Sequence, residues 1–348
     1  MDIVKIFIPT TIAFIIGIIT TPILSNFLYK HKMWKKKSVV VATDGGVATI
    51  TQQLHNDEEK KTPRMGGIVI WASALVTIFL FWLGSIIDIP SLDKLNFLSR
   101  NQTWLPVFTL IIGALVGLLD DYWSVTERYD QKAGGLSSKK RLLAVFIISL
   151  IGAWWFYSKL ETTDIIIPFI GTWDAGILFI LFFIIVMLGT YSGGVIDGLD
   201  GLAGGVFGII FASYGLIALL QNQVDLAAFC FVIVGGLLAF LWFNIPPARF
   251  YMSETGTMSL TITLVVVAFL TKQVLILPII AFPLVISSGS SIIQLLSKKF
   301  RHGKKVFLVA PLHHHLQAIG WPATKVVMRY WVLGIIFAGI GIIISLVG

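Results

Sequence analysis

The sequence predicts an all-α integral membrane protein with about ten transmembrane helices in one bundle. Three observations lead to this fold class. Hydrophobic residues make up 56% of the 348 residues and charged residues only 13%, well below the roughly one quarter that is charged in soluble domains. The mean hydropathy is +0.88. Apolar runs long enough to cross about 30 Å of hydrocarbon recur along the whole chain. They lie near 3–25, 66–88, 104–119, 142–158, 175–191, 202–220, 226–243, 257–271, 273–295 and 330–347.

The first run, 3–25, is interpreted as a retained span because it is long and has no small-residue cleavage site typical of a signal peptide. The chain shows no soluble insertion and no internal repeat, which predicts one polytopic domain over 1–348. The division between the eighth and ninth runs stays open. The external connection LETTDIIIPFIGTWDAG, residues 160–176, is a candidate for a small hairpin over the outer face.

The distribution of basic residues predicts the orientation of the bundle. Cytoplasmic loops carry the excess of Lys and Arg in bacterial-type membrane proteins. Four connections contain 21 of the 26 basic residues and all six histidines, namely 26–65, 120–141, 244–256 and 296–329. We therefore expect both termini outside and the chemistry in a cytoplasmic cleft. The net charge of +8 is interpreted as topology plus attraction to anionic headgroups, in preference to nucleic-acid binding. The single cysteine, Cys230, excludes disulfides and thiolate metal sites.

Carboxylates occur at the ends of apolar spans, where their desolvation is costly and a partner is required. In LVGLLDDYWSV, Asp120 and Asp121 end the third span. Neighbouring residues on a helix point about 100° apart, so one acid is expected to line a site while the other braces it. A solvated helix end is the alternative.

Two further acidic motifs follow the fifth and seventh spans. In YSGGVIDGLDGLAGG, the spacing of Asp197 and Asp200 predicts one shared helical face, with glycines that permit close approach to a ligand. No basic residue is nearby in sequence, so a cation or ligand donors are expected to bind them. In FNIPPARFYMSETGTMSL, Glu254 is the only acid of a short loop, and an N-cap arrangement is the alternative reading.

Three histidines, His313, His314 and His315, follow Pro311 in a basic loop. Five carboxylates on one face of the bundle, with no thiolates, favour Mg²⁺ over zinc. Imidazoles beside basic residues suit phosphate oxygens. A solvated loop or an interface contact is the alternative.

Taken together, the motifs resemble those of the polyprenyl-phosphate N-acetylhexosamine-1-phosphate transferases, and within them the phospho-N-acetylmuramoyl-pentapeptide transferases. The resemblance extends from about residue 60 to the C terminus. It is carried, in order, by TPRMGG (62–67), LLDDYWS (118–124), GVIDGLDGLA (194–203), FYMSETGT (250–257) and APLHHHLQAIGWPATKVVMRYW (310–331).

This resemblance implies ten transmembrane helices with a cytoplasmic active site in the bacterial inner membrane. It implies attack by undecaprenyl phosphate on UDP-MurNAc-pentapeptide, which gives lipid I and UMP for peptidoglycan synthesis. A homodimer is suggested by the family alone. Direct attack is favoured over a covalent aspartyl-phosphate because a phosphate monoester, with a second pKa of about 6, is already mostly dianionic at neutral pH.

The resemblance also assigns residues. It makes Asp120 the base or nucleophile, Asp121 and Glu254 the ligands of Mg²⁺, and Asp120, Asp121 and the three histidines the catalytic set. The substrate-binding set that it implies is Asp197, Asp200, Tyr251, Lys61 and Thr62, with Tyr251 stacking on uracil.

Three positions depart from the family pattern. Glu254 stands where the family has Asp, Gly194 stands where it has Asn, and the lysine before TPRMGG is either Lys60 or Lys61. A transferase of GlcNAc-1-phosphate or a related sugar phosphate, for teichoic acid or O-antigen initiation, is therefore the alternative function. A cation-binding secondary transporter is a third hypothesis, disfavoured because the acids lie at one interface and no repeat is present.

Overall fold

The computed structural model describes residues 2–34, 61–87, 89–126 and 135–348, and most of these residues are helical. The helices in chain order are α1 (Asp2–Lys30), α2 (Ile68–Ile86), α3 (Pro90–Asp93), α4 (Trp104–Thr126), α5 (Ser138–Ser158), α6 (Leu178–Ser192), α7 (Leu202–Leu220), α8 (Val224–Asn244), α9 (Ser253–Leu270), α10 (Leu277–Ile280), α11 (Phe282–Phe300), α12 (Leu312–Ala318) and α13 (Ala323–Val347). Two 3₁₀ turns, Gly193–Ile196 and Val274–Ile276, precede α7 and α10.

The number of spans agrees with the apolar runs of the sequence. Among the described residues, nine helices are long and apolar enough to cross a membrane, or ten if a bent pair is one span. That pair is Val274–Ile280 with Phe282–Phe300, and its two parts meet at 82°. Pro283, in the first turn of α11, has no N–H group to continue the helix from α10. The ninth run of the sequence is therefore a broken helix, a feature that its hydropathy did not reveal.

Helix α9 is the centre of the bundle. In the most apolar stretch of 18 residues in α9, 89% of the residues are buried, whereas the corresponding share is 22% in α1 and in α13. Its buried hydroxyl groups donate to carbonyls one turn earlier, as Thr261 Oγ1 does to the Thr257 carbonyl at 2.7 Å. Few of its buried hydroxyl groups are therefore left without a hydrogen-bond partner. Gly113 of α4 allows a close crossing, because a Cβ there would lie 2.8 Å from the Ser259 Cα. This crossing brings the end of α4 to the start of α9.

The predicted hairpin is present in the connection between α5 and α6. Strands β1 (Asp164–Ile167) and β2 (Gly171–Asp174) pair antiparallel, with Ile165 opposite Trp173 and Ile167 opposite Gly171. Only Ile165 of the two strands is buried. This connection closes the end of the bundle opposite to the acidic motifs.

Three local predictions from the sequence were wrong. Asp197 and Asp200 do not share a helical face, because the chain forms a turn between the 3₁₀ segment and α7. Glu254 lies in the first turn of α9 and not in a loop, and the N-cap residue of that helix, Met252, makes no capping hydrogen bond through its side chain. The histidines of the supposed basic loop form the short helix α12. His55 and Lys60 lie outside the described residues.

Candidate active site

Three carboxylates from two helices converge where α4 meets α9. Asp120 and Asp121 are buried at 1% and 0% exposure. Arg141, in the first turn of α5, joins Asp120 to Glu254: its Nε lies 3.2 Å from Asp120 Oδ1 and its Nη1 lies 2.7 Å from Glu254 Oε1. The planar guanidinium group suits two carboxylates at once. Asp120 Oδ1 also accepts a hydrogen bond from the Leu136 amide at 2.6 Å, so its position is fixed from two sides.

Asp121 points to a different part of the site, as expected for its neighbouring place on the helix. Its Oδ2 accepts the Thr255 amide N–H at 2.9 Å, which ties α4 to the first turn of α9. Its Oδ1 lies 3.3 Å from Arg64 Nε without a well-directed hydrogen bond. Asp121 thus presents one buried carboxylate oxygen that a stronger ligand can bind.

The TPRMGG segment lies directly against the residues before α9. The Tyr251 amide donates to the Pro63 carbonyl at 2.9 Å, and the Gly66 amide donates to the Tyr251 carbonyl at 2.8 Å. Gly67 packs against Gly256 so closely that a Cβ on Gly67 would overlap the Gly256 backbone. The two motifs, nearly two hundred residues apart in sequence, therefore form one unit.

The predicted substrate-binding residues lie on and beside this unit. Thr62 is partly buried, Lys61 is exposed at its edge, and Tyr251 is half-buried with both backbone groups bonded. None of the contacts described above engages the Lys61 or Thr62 side chains. Their assignment to substrate stays a prediction.

Asp197 and Asp200 are held by backbone amides at the start of α9 and in the segment that precedes it. Ser253 N donates to Asp197 Oδ2 at 2.7 Å, and Ala248 N donates to Asp200 Oδ2 at 3.0 Å. Burial raises the pKa of Asp197 to about 6, against the opposing effect of the Ser253 hydrogen bond. Gly201, with φ of +78°, makes the turn that separates the two acids from α7. These acids therefore fix the backbone at and before the start of α9.

The three histidines of α12 have different environments. His313 is fully buried and burial lowers its pKa, so its ring is neutral. His314 is 8% exposed, and a Cβ on Gly198 would lie 2.8 Å from its Nε2. His315 Nδ1 accepts a hydrogen bond from the Leu308 amide at 3.3 Å. The structure brings His313 and His314 to the Asp197–Asp200 turn, whereas His315 is bonded to the preceding loop.

The acid cluster has the chemistry that a magnesium ion requires, although it does not form a complete cage. Within the described residues, no three His, Cys, Asp or Glu side chains could together hold one ion. Mg²⁺ in phosphoryl-transfer sites commonly takes one or two carboxylates and completes its shell with substrate phosphates and water. Asp121 Oδ1, which accepts no hydrogen bond, and the adjacent Glu254 fit that pattern.

Sequence reasoning missed the two arginines. Arg64 is part of TPRMGG, and Arg141 stands where an apolar helix begins, but neither was given a role. The sequence did contain an indication of their role, because carboxylates at the membrane interface are costly to desolvate and need cationic partners. Their partners could not be paired by sequence, because Arg64 and Asp121 are brought together only by the packing of α9.

Comparison with known proteins supports the grouping of these motifs. Residues 103–272 match the model of glycosyl transferase family 4. The phospho-N-acetylmuramoyl-pentapeptide-transferase of Anoxybacillus flavithermus is 34% identical over 340 residues, 96% of each chain. The chain belongs to the phospho-N-acetylmuramoyl-pentapeptide-transferase family.

Further relatives carry the same name. That of Listeria innocua is 33% identical over 341 residues and covers 95% of each chain. That of Bacillus anthracis is 34% identical over 342 residues and covers 96% of each chain. The similarity therefore includes the TPRMGG segment and α12, which lie outside residues 103–272. All parts of the candidate site fall within the shared length.

Proposed function

We propose that the protein transfers phospho-MurNAc-pentapeptide from UDP-MurNAc-pentapeptide to undecaprenyl phosphate, forming lipid I and UMP in peptidoglycan biosynthesis. The near full-length similarity to transferases of that name supports this function. The observation that carries it is the convergence of Asp120, Asp121 and Glu254 around two arginines. Such a cluster has both the anionic groups that bind a divalent cation and the cationic groups that bind phosphate.

The chemical obstacle is the meeting of two anionic phosphates. An oxygen of the lipid phosphate forms a bond to the β-phosphorus, and the bond from that phosphorus to the bridging oxygen breaks, so that UMP leaves with the electron pair. Charge develops on the leaving oxygen and has to be stabilised in place. Arg64 and Arg141 lie at the site with guanidinium groups of the geometry that phosphate requires.

Asp121 and Glu254 are the residues that would hold Mg²⁺, which would neutralise negative charge on the diphosphate and on the leaving group. Asp121 offers the oxygen without a hydrogen bond, and Glu254 reaches from the first turn of the adjacent helix. Arg141 holds Glu254 at 2.7 Å. In this proposal Arg141 sets the separation between the two ligands.

Asp120 positions the lipid phosphate through Arg141 in this proposal, since a carboxylate and a phosphate dianion repel each other. Its Oδ1 already accepts hydrogen bonds from Arg141 and from the Leu136 amide. Because two donors already bind the lone pairs of this oxygen, Asp120 is better suited to orient a neighbouring group than to attack as a nucleophile. The reaction then proceeds by direct displacement, without an aspartyl-phosphate.

The nucleotide binds, in this proposal, on the side of Asp197, Asp200 and Tyr251. The hydrogen bond from the Ser253 amide to Asp197 joins the turn that contains Asp197 and Asp200 to the segment that contains Tyr251. The turn also lies beside the histidines of α12. Tyr251 supplies an aromatic face for uracil. Lys61 and Thr62, at the edge of the docked TPRMGG segment, complete the binding surface.

The site faces the cytoplasm of the bacterial inner membrane in this proposal. The acidic motifs lie at the end of the bundle where the chain carries most of its basic residues, and such residues mark the cytoplasmic side. With ten spans, both termini lie outside. This placement gives the enzyme access to a soluble nucleotide substrate and to a lipid substrate in the same leaflet.

The decisive experiment is UMP release by purified protein with undecaprenyl phosphate and Mg²⁺. Turnover is expected with UDP-MurNAc-pentapeptide and not with UDP-GlcNAc, and EDTA is expected to abolish it. Asp120→Asn and Asp121→Asn should each lose most turnover while the protein remains monodisperse. Turnover with UDP-GlcNAc alone would establish the alternative sugar-phosphate transferase, and turnover unaffected by EDTA would exclude Mg²⁺.

A further inference from the structure

The ion pair between Arg64 and Asp121 lacks a hydrogen bond at its two closest atoms. Arg64 Nε lies 3.3 Å from Asp121 Oδ1, yet both atoms are buried and neither has a hydrogen-bond partner among the described residues. A buried polar atom without such a partner costs free energy. Attraction between opposite charges therefore holds this pair together without the directed hydrogen bonds that stabilise most buried pairs.

Arg141, by contrast, is held by directed hydrogen bonds. Its Nη1 donates to Glu254 Oε1 at 2.7 Å, and its Nε donates to Asp120 Oδ1 at 3.2 Å. Displacement of Arg141 would break both of these bonds, whereas displacement of Arg64 breaks no hydrogen bond at Asp121 Oδ1. Of these two arginines, Arg64 is thus the one that another cation can replace at low cost.

The charge of Arg64 acts on more than one acid. Its guanidinium group also interacts electrostatically with Glu254 and with Asp197. Burial raises the pKa of Asp197, and the Ser253 hydrogen bond and the Arg64 guanidinium group oppose that rise. One weakly bonded positive charge therefore lies among three carboxylates of the site. Because like charges repel, this charge weakens the binding of any other cation there.

The backbone of Arg64 is fixed, but its side chain is long and partly accessible. The Arg64 amide donates to the Met33 carbonyl at 2.8 Å, and the neighbouring Pro63 carbonyl accepts the Tyr251 amide at 2.9 Å. The Arg64 side chain is 23% exposed, and arginine has many rotamers. The guanidinium group can therefore leave Asp121 while the TPRMGG segment stays docked, and it remains within reach of the site.

We propose that Arg64 is an internal competitor of the metal: its guanidinium group neutralises Asp121 Oδ1, the oxygen that a divalent cation would bind, and moves to phosphate oxygens of the nucleotide when that cation binds. The inference rests on the proposed function for the identity of the cation and of the nucleotide. Arg141 and Arg64 then have different roles, since Arg141 separates the two metal ligands and Arg64 sets how strongly the metal binds.

Arg64→Met tests the competition because it removes the charge and keeps a long unbranched side chain. Mn²⁺, which prefers the same oxygen ligands as Mg²⁺, is titrated without nucleotide, and the free ion is measured by electron paramagnetic resonance. The Kd of Arg64→Met for Mn²⁺ is expected to be about tenfold lower than that of the wild type. Arg64→Lys keeps the charge and is expected to bind Mn²⁺ about as weakly as the wild type. Equal or weaker binding by Arg64→Met would overturn the proposal, because that is the result expected if Arg64 only holds Asp121 in place.

Two controls locate the effect. In an Asp121→Asn background the gain from Arg64→Met should largely disappear, because the two changes act on one contact. Arg301→Met removes the same charge just after α11, where Arg301 Nη1 lies 3.4 Å from Ser297 Oγ, and its affinity for Mn²⁺ should equal that of the wild type. A gain of the same size in Arg301→Met, or an undiminished gain in the Asp121→Asn background, would assign the effect to total charge and overturn the proposal.

The movement of Arg64 to phosphate is tested with UMP at saturating Mg²⁺. Arg64→Met is expected to bind UMP about tenfold more weakly, because it lacks a charged donor to phosphate, so its affinities for metal and nucleotide change in opposite directions. Loss of both affinities would overturn the proposal. Neither measurement needs turnover. Opposite changes in a protein that releases no UMP from UDP-MurNAc-pentapeptide would count against the proposed function alone, and an active transferase in which Arg64→Met binds Mn²⁺ no more tightly would count against this inference alone.

Discussion

Replacement of Arg141 tests the central electrostatic arrangement of the site. The guanidinium group contacts Asp120 at 3.2 Å, Glu254 at 2.7 Å and the Leu136 carbonyl at 3.1 Å. Arg141→Ala leaves two neighbouring carboxylates without their shared cation. Their repulsion is expected to displace Glu254, and with it the separation of the proposed metal ligands.

The magnitude follows from the burial of the contacts. The Arg141 side chain is 24% exposed, whereas Asp120 is 1% exposed and Glu254 20% exposed. Loss of one partner costs about 3–5 kcal/mol in a fully buried pair and less than about 1 kcal/mol at the surface. We expect the free energy of unfolding to fall by about 2–3 kcal/mol in this intermediate case. Because the displaced Glu254 no longer lies beside Asp121, we expect kcat to fall separately by roughly 100-fold, which is about 2.7 kcal/mol in the activation free energy. Arg141→Lys retains the charge but not the two-sided contact, so a loss of about tenfold is expected.

The assay is UMP release at saturating substrates, combined with thermal unfolding in detergent. Lys272→Ala is the matched control, because it removes a lysine from an exposed ion pair with Asp164 at 3.4 Å at the opposite end of the bundle. This control should retain wild-type kcat. An Arg141→Ala protein with at least half of the wild-type kcat and an unchanged melting temperature would refute the reasoning.

Three other substitutions test separate parts of the structure. Asp197→Asn removes a carboxyl group whose pKa is raised to about 6. The wild type loses the stabilisation from this group as the pH rises from about 4 through 6, so the melting temperature of the variant minus that of the wild type should increase over that range and then stay constant. A difference in melting temperature that does not change with pH would contradict the assignment. Glu254→Asp shortens the side chain that reaches Arg141 by one methylene but keeps its charge. We therefore expect measurable turnover that needs a higher Mg²⁺ concentration in a metal titration. Complete loss of turnover would mean that the site depends on the longer side chain. Gly67→Ala places a methyl group on the Gly256 backbone and is expected to lower the yield of monodisperse protein on size-exclusion chromatography, and wild-type yield and melting would show that the two segments are not tightly docked.

Much of the architecture was predictable because it follows from the composition of the sequence. The length of an apolar run sets whether a helix can cross the bilayer, and the count of nine or ten such helices among the described residues confirms the prediction. The hairpin of β1 and β2 was also predicted from its connection. The bend at Ala281 was not, because hydropathy averaged over a run does not report a change of direction.

The candidate site was predictable in its members but not in its contacts. The sequence marked Asp120, Asp121 and Glu254, because carboxylates beside apolar spans require partners. The partners themselves depended on packing: Arg141 comes from another helix and reaches two of these acids. The Asp197–Asp200 spacing predicted a helical face, but in the tertiary structure each acid instead accepts a hydrogen bond from a backbone amide about 50 residues later in the chain.

By itself, the sequence determined the class of the protein, the number of its spans and which polar residues had to be explained, since these depend on local composition and spacing. The tertiary structure decided which charges meet and which histidine is fully buried. The physical reason is that pairing energies depend on distances of a few ångströms between residues far apart in the chain. The close crossing of α4 and α9, which glycines permit, brings Asp120, Asp121 and Glu254 together.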